Sequence, residues 1–518
     1  MTNPLPSGNF ASALWSVTSQ HPSAPFLVEP AAKIHSYGQI DDLAARYAEV
    51  LKAHGAGPGD RVLVQVKKSV EAVALYLGCL RAGTVHVPLN PAFTSAELDY
   101  FLSDSQPRVA VLDPSSTYGR TADDDARILT LDAGGEGTLA QQADRPGIRD
   151  VRADSAPIVK REDAGLAVLL YTSGTTGRPK GAALSNANLR HNAVALHDVW
   201  RFSRSDHLLH CLPIFHTHGL FAAIHCAMLS AIPVTFLARF DAERVLDSLQ
   251  NATVMMGVPT HYSRLLDSPR LHTELAAGVR LFTCGSAPLR DAVFEEFAER
   301  TGHRICERYG MSETGIITSN PYDGRRLAGT VGYPLPGVDL RVVDVVDDLI
   351  HDHATPVETG VIGSVEVRGP HVFSGYWSRD NAAADSAVSD DAWFATGDLG
   401  SLDETGRLRL HGRSGDLIIS GGENIYPKEI EMVLDQIAGI RESAVIGVPD
   451  QDLGEAVTAV IAVDGERFVL DDCHAELTRQ LSRHKHPKQI LIVPSLPRNA
   501  MGKIQKNVLR ERHQGLYG

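Results

Sequence analysis

The run Tyr171-Thr-Ser-Gly-Thr-Thr-Gly-Arg-Pro-Lys180-Gly181 places four Ser/Thr hydroxyls, three glycines and two cations in one loop, directly after an apolar stretch at 166–170. This combination suits a polyphosphate. Glycines let the backbone approach an anion and take up positive φ, while backbone N–H groups, hydroxyls and a lysine share out the phosphate charge. The loop is not a Walker A loop: no Gly-Lys-Ser/Thr closes it, and the spacing Gly-x-x-x-x-Gly-Lys-Ser/Thr cannot be laid over it. A flexible Gly/Ser/Thr linker, in turn, has no use for a strand before it and Arg-Pro-Lys after it.

Such a loop needs rigid elements at its ends. Residues 35–113 alternate helical and strand patterns: a helix over about 39–53, a strand at 61–65, a helix over about 70–82, and strands at 84–88 and 109–113. This spacing predicts βαβ units on a parallel sheet. Residues 115–163 are polar, with Asp123-Asp-Asp125 and Gly134-Gly-Glu-Gly137, and read as a surface excursion. A second α/β stretch is expected from Ala164, with strands at 234–237, 252–256 and 279–283, and a small β unit beyond Gly329, with strands at 340–344 and 363–369. A composition break falls at His411-Gly-Arg-Ser-Gly-Asp416, and the stretch after it carries its own α+β pattern. The expected fold class is α/β: a large N-terminal region, 1–413, of α/β subdomains plus a small β unit, then a small α+β domain, 414–518.

At 518 residues the chain is too long for one core. A net charge of −14 and a pI near 5.9 argue against a nucleic-acid-binding surface, which needs a basic face. No run of 18 apolar residues is present, so no membrane partner is expected. The N-terminus, Met-Thr-Asn-Pro-Leu-Pro-Ser-Gly, lacks the charged and apolar regions of a signal peptide. Cys79, Cys211, Cys226, Cys284, Cys306 and Cys473 show neither paired metal spacing nor the density of a disulfide scaffold. They are expected to be reduced core residues of a cytoplasmic protein.

The loop resembles the signature of the adenylate-forming superfamily, which includes acyl-CoA synthetases, luciferases and peptide-synthetase adenylation domains. Further segments carry the resemblance from about Ser36 to Gln505. Gly285-Ser286-Ala287-Pro288 follows a predicted strand, where the carboxyl end of a parallel strand opens onto a ligand crevice. Glu307-Arg308-Tyr309-Gly310-Met311-Ser312-Glu313 is similar to the family's Tyr-Gly-x-Thr-Glu segment, with Ser312 in place of threonine. Thr396-Gly397-Asp398 and Gly412-Arg413 resemble its ribose-binding pieces, Ser420-Gly421-Gly422-Glu423 the loop lining the pantetheine channel, and Gly502-Lys503 the segment carrying the adenylation lysine.

The resemblance implies ATP, Mg²⁺ and coenzyme A as cofactor and co-substrates. ATP and CoA would be held by Thr172, Ser173, Gly174, Thr175, Thr176, Gly177, Lys180, Gly285, Ser286, Ala287, Glu307, Tyr309, Gly310, Asp398, Arg413, Gly421, Gly422 and Glu423. Tyr309 would stack on adenine, and Asp398 and Arg413 would take the ribose. Glu313, with Thr175, would hold the metal; Mg²⁺ needs only one or two carboxylates besides phosphate oxygens and water. Lys503, Glu313, Ser312 and His216 make up the implied catalytic set. Lys503 would lie between the attacking carboxylate and the α-phosphate, where negative charge builds.

The segments Ile214-Phe-His216-Thr217-His218-Gly219, Gly257-Val-Pro-Thr-His-Tyr-Ser-Arg264 and Glu307-Arg308 are most similar to malonyl-CoA synthetases. By that resemblance Arg264 and Arg308 hold the distal carboxylate, with His218 and Ser286 contributing, and Thr217 and Met311 shape the space at the α-carbon. A second charge buried with the substrate must be paired. The implied reaction is ATP-dependent ligation of malonate, with methylmalonate tolerated, to CoA through malonyl-AMP; a monocarboxylate ligase and an acyl-loading protein are the alternatives. The C-terminal domain would be mobile about Gly415, where relatives usually carry Asp or Lys. Only small-molecule partners are implied: malonate, ATP and CoA.

Overall fold

The computed structural model describes residues 5–30, 33–116, 127–172, 179–344, 354–378, 391–421, 423–464, 468–499 and 502–517. Among these the strands form four sheets. A six-stranded sheet runs Ile128–Thr130, Val109–Leu112, Arg61–Gln65, Val85–Pro88, Leu166–Thr172 and Lys180–Ser185. Its first five strands are parallel and the last pair antiparallel. Val85–Pro88 and Val109–Leu112 are buried throughout, as expected of parallel strands covered on both faces. Helices fill the crossovers. Tyr37–Ala53 begins two residues earlier than the apolar periodicity suggests, because Ser36 and Gln39 form a reciprocal capping box.

Two sequence expectations need correction. The polar stretch 115–163 is not only a surface excursion: Ile128–Thr130 adds a sixth strand beside Val109–Leu112, and Ala153 and Ala156 are buried with Ala45. Residues 166–185 do not open a second sheet. They close the first one as an antiparallel pair, with Thr172 opposite Lys180, so the glycine-rich loop joins two strands of a single hairpin.

A nine-stranded sheet lies at the centre. Its parallel core runs Pro25–Val28, Val234–Phe236, Leu208–His210, Val254–Gly257, Leu281–Cys284 and Cys306–Met311. Gly315–Ser319, Tyr333–Pro334 and Ile34–Ser36 pair antiparallel at its edges. After Leu208–His210 the chain enters a π-helical stretch, His218–Ile224, that continues into the α-helix His225–Ser230. π-helical turns are uncommon and concentrate at functional sites. Gly219 is required here, since a Cβ would lie 2.0 Å from the Pro213 carbonyl oxygen.

The third sheet is antiparallel, Asp339–Val343, Gly363–Arg368, Phe394–Leu402 and Leu408–Arg413. A 3₁₀ turn, Ser414–Asp416, follows it directly. The fourth sheet combines Glu423–Ile425, Ile418–Ser420, Gly454–Val463, Ile440–Asp450 and Gln489–Val493. Its core, with Ile430, Leu434, Val445, Ile461 and Leu477, is its own. The six cysteines are all free and buried.

Candidate active site

The carboxyl ends of Leu208–His210, Val254–Gly257, Leu281–Cys284 and Cys306–Met311 converge on one crevice, where ligands bind in open α/β sheets. On one side, Arg308 is 4% exposed and its guanidinium donates to Ser286 Oγ at 3.2 Å. Ser286 Oγ is 3.5 Å from His218 Nδ1. Ser286 has a φ of 70°, a left-handed conformation that a non-glycine residue rarely holds, and such strain gathers at functional sites. Gly285 is glycine because a Cβ would sit 2.5 Å from the Arg308 guanidinium carbon.

Several polar atoms on these residues and their neighbours are nonetheless left without a partner. Arg308 Nε, His218 Nε2, His216 Nδ1 and Thr217 Oγ1 are buried with no hydrogen-bond partner. Among the described residues no carboxylate pairs with Arg308, and burial pushes its pKa down to about 10. Burial and the nearby Arg308 lower His216 to about 4 and hold His218 well below the usual imidazole range. Both histidines are therefore neutral at physiological pH. The arrangement is a lone buried cation ringed by neutral donors and acceptors, chemically a receptor for an anion. Met311 is half-buried at the end of the same strand as Arg308. Arg264 differs from the expected pairing in being exposed, on the helix Pro259–Leu266.

On the other side, Asp398 and Arg413 face each other in register across two antiparallel strands, with Arg413 Nε 2.8 Å from Asp398 Oδ1. The Tyr309 hydroxyl donates to Asp398 Oδ2 at 2.5 Å. Glu307, two residues before Tyr309, is buried; burial raises its carboxyl to about 8, and Oε1 has no partner. Gly310 passes so close to Gly315 that a Cβ would meet its carbonyl oxygen at 2.1 Å.

Between these sides, Glu313 is 5% exposed and accepts from the Tyr376 hydroxyl at 3.0 Å, with Thr172 Oγ1 at 3.5 Å. Burial raises its pKa, so a cation beside it would be stabilising. A single buried carboxylate beside Thr172, the last described residue before the glycine-rich segment, fits a Mg²⁺ ion that keeps waters and phosphate oxygens as its other ligands. Lys180 is exposed at the start of its strand, with Nζ 5.3 Å from the Tyr376 ring centre. Tyr376 was not among the sequence candidates; its only sequence signal is the aromatic run Tyr376-Trp377 after Gly375.

Ser312 and Ala287 are half-buried near these groups in sequence. Lys503 is exposed as a residue, yet its ammonium is near enough to Arg413 and Asp398 for both charges to act on it, and desolvation with Arg413 lowers its pKa. Gly502 lies against Thr260, so this segment of the C-terminal sheet's unit reaches the crevice. Gly421, with φ 59°, and exposed Glu423 lie at the edge of the fourth sheet. Gly415 has open space where a Cβ would stand. Ser173, Gly174, Thr175, Thr176, Gly177 and Gly422 lie outside the described residues, as does the loop half of the implied metal site.

Residues 14–377 match the AMP-binding enzyme family and 429–503 the AMP-binding enzyme C-terminal domain. This chain belongs to the AMP-binding enzyme family. An indoleacetate–CoA ligase of Aromatoleum aromaticum is 34% identical, covering 92% of each chain. A malonate–CoA ligase of Arabidopsis thaliana is 32% identical, covering 92% of this chain and 84% of that one. ATP-bound MatB from Rhodopseudomonas palustris superposes with a TM-score of 0.92 at 44% identity over 99% and 100% of the two chains. The adenylate-forming fold and an AMP-forming acid–CoA ligase activity, using ATP and CoA with Mg²⁺, follow from this membership. No helix among the described residues is long and apolar enough to cross a membrane.

Proposed function

We propose that the acid is malonate, with methylmalonate as a tolerated variant, and that the product is malonyl-CoA. The observation that carries this reading is Arg308, a buried guanidinium beside Ser286 and His218 that has no carboxylate partner among the described residues. A monocarboxylate spends its only charge at the reacting end, and nothing would then neutralise Arg308. A dicarboxylate supplies the missing anion. The malonate–CoA ligase among the relatives supports the same choice.

In this reading one malonate carboxylate lies against Arg308, Ser286 and His218, with Arg264 at the mouth and Thr217 and Met311 beside the α-carbon. The other carboxylate attacks the α-phosphorus of ATP, and pyrophosphate leaves. Lys503 stabilises the charge that develops between them. Ser312 meets the α-phosphate, His216 flanks the reacting carboxylate, and Tyr309, Glu307, Gly310, Asp398 and Arg413 receive the nucleoside. Glu313 holds Mg²⁺, which neutralises phosphate charge when bound. The CoA thiol then adds to the acyl carbonyl and AMP departs, with the pantetheine arm entering past Gly421, Gly422 and Glu423. The domain boundary at 413/414, with Gly415 as hinge, would let the C-terminal unit exchange these two tasks.

The test is pyrophosphate release with mono- and dicarboxylic acids of two to six carbons. The expected order is malonate, then methylmalonate, then the rest; acetate or butyrate outrunning malonate would overturn the assignment.

A further inference from the structure

We propose that Lys68 is a positioning residue for the acid pocket: through His210 it ties down the Gly219 carbonyl at the head of the π-helix that carries His218. The proposal rests on the reading that His218, Ser286 and Arg308 receive the acid.

Lys68 stands between the strand Arg61–Gln65 and the helix Val70–Arg81, in the six-stranded sheet's layer, next to the helix N-cap Ser69. Its ammonium reaches across to the nine-stranded sheet. There Nζ lies 2.6 Å from His210 Nδ1, 3.2 Å from the His210 carbonyl and 2.7 Å from the Leu237 carbonyl, and 4.3 Å from the centre of the Phe236 ring. An ammonium has three protons and no lone pair, and here each proton finds one acceptor. His210 Nδ1 must then accept, which leaves the ring proton on Nε2. That Nε2–H donates to the Gly219 carbonyl at 2.9 Å.

The consequence reaches the substrate. Gly219 follows His218 in the chain and passes so close to Pro213 that a Cβ on it would lie 2.0 Å from the Pro213 carbonyl oxygen. His218 Nδ1 faces Ser286 Oγ, which accepts from Arg308. One continuous set of contacts therefore runs from Lys68 through His210, Gly219, His218 and Ser286 to Arg308. The other groups near Lys68 leave that tautomer undisturbed: the side chains of Cys211 and His261 face each other, Sγ 3.8 Å from Nδ1, rather than the His210 ring. Burial lowers Lys68 to about 7 and holds His210 well below the ordinary imidazole range, so of the pair it is the lysine that carries the proton, and in that protonated form its three acceptors fix His210 Nδ1 as an acceptor. If Lys68 lost its donor role, both His210 tautomers would become accessible, and one of them turns a lone pair toward the Gly219 carbonyl.

The experiment is steady-state kinetics with whichever acid the parent enzyme uses best, on Lys68→Met, His210→Phe, His210→Gln and the double variant Lys68→Met/His210→Phe. Lys68→Met and His210→Phe should each raise KM for the acid about tenfold, the scale of one hydrogen bond to a charged group, with KM for ATP unchanged. The double variant should be no worse than the poorer single one, since both cut the same chain of contacts. His210→Gln, whose carbonyl accepts from Lys68 and whose amide donates to Gly219, should recover to within a few-fold of the parent. Additive losses, a glutamine variant as poor as the phenylalanine one, or an equal rise in KM for ATP would overturn the proposal. If Lys68→Met does not fold, the comparison of His210→Phe with His210→Gln decides alone. A wrong malonate assignment shows itself separately, as a parent enzyme that prefers another acid.

Discussion

Arg308 and Tyr309 are neighbours on one strand, yet they serve pockets that treat charge in opposite ways. Successive strand side chains point to opposite faces. Tyr309 turns to the face where Asp398 and Arg413 already neutralise each other at 2.8 Å. Arg308 turns to the face where no carboxylate among the described residues meets it. The side proposed for the nucleotide thus holds Tyr309, Asp398 and Arg413 already bonded to one another, and ATP binding there would share or replace bonds that exist. The side proposed for the acid leaves a buried cation whose desolvation a substrate anion would offset. A pre-paired site orients its ligand; an unpaired one selects for ligand charge.

The strongest way to break this comparison acts between the two pockets. Lys503→Ala should lower the rate of acyl-adenylate formation by about 10³, while thioester formation from supplied malonyl-AMP stays within a few-fold, because in the proposed mechanism the ammonium acts on one transition state only. Equal loss in both half-reactions would mean that Lys503 is structural.

Charge selection comes next. Arg308→Met should reduce kcat/KM for malonate by about 10² to 10³, corresponding to roughly 3–5 kcal/mol for a buried carboxylate left unpaired, and should spare butyrate. Arg264→Met makes the contrast sharper, since an exposed cation contributes at most about 1 kcal/mol and should cost only a few-fold. Similar losses in the two variants would erase the distinction between a buried and a surface arginine.

On the nucleotide side, Asp398→Asn removes one charge from a set that is already paired. KM for ATP should rise by about 10- to 100-fold, with the ratio of malonate to butyrate use unchanged. A shift in acid preference would show that the two faces are not independent.

The smallest effect concerns Glu307, on the Tyr309 face, whose carboxyl is raised to about 8 by burial. A raised folded-state pKa contributes stability that is fully present below the ordinary value of 4.5 and is lost as pH rises through about 8. Between pH 7 and pH 9 the parent Tm should fall by roughly a few °C more than that of Glu307→Gln, which cannot ionise. Parallel Tm curves would place the proton elsewhere.

Much of this was legible in residue order. The hydroxyls and glycines from Thr172 to Gly181 and the alternation of helices and strands follow from local chemistry and periodicity, and the Glu307–Glu313 segment was found through its resemblance to the adenylate-forming family. Other features were hidden because they are short or non-local. Ile128–Thr130 is three residues inside a polar stretch and is a strand only because Val109–Leu112 offers an edge. The hairpin bearing the phosphate loop looks like the start of a new layer until Leu166–Thr172 pairs with Val85–Pro88. Tyr376 meets Glu313 across 63 positions, and Lys68 meets His210 across 142.

By itself, the order of amino acids determined which groups are available: a loop of hydroxyls, glycines and cations suited to a polyphosphate, which is a property of residue type and near-neighbour spacing, and, through the family resemblance, Glu313, Arg264 and Arg308 as candidates for a metal and an acid. Only the tertiary structure decided that Arg308 is buried with no carboxylate partner among the described residues while Arg264 is exposed, and that Asp398 already has its partner. Desolvation and pairing depend on what distant segments pack around a charge, and strand register sets that.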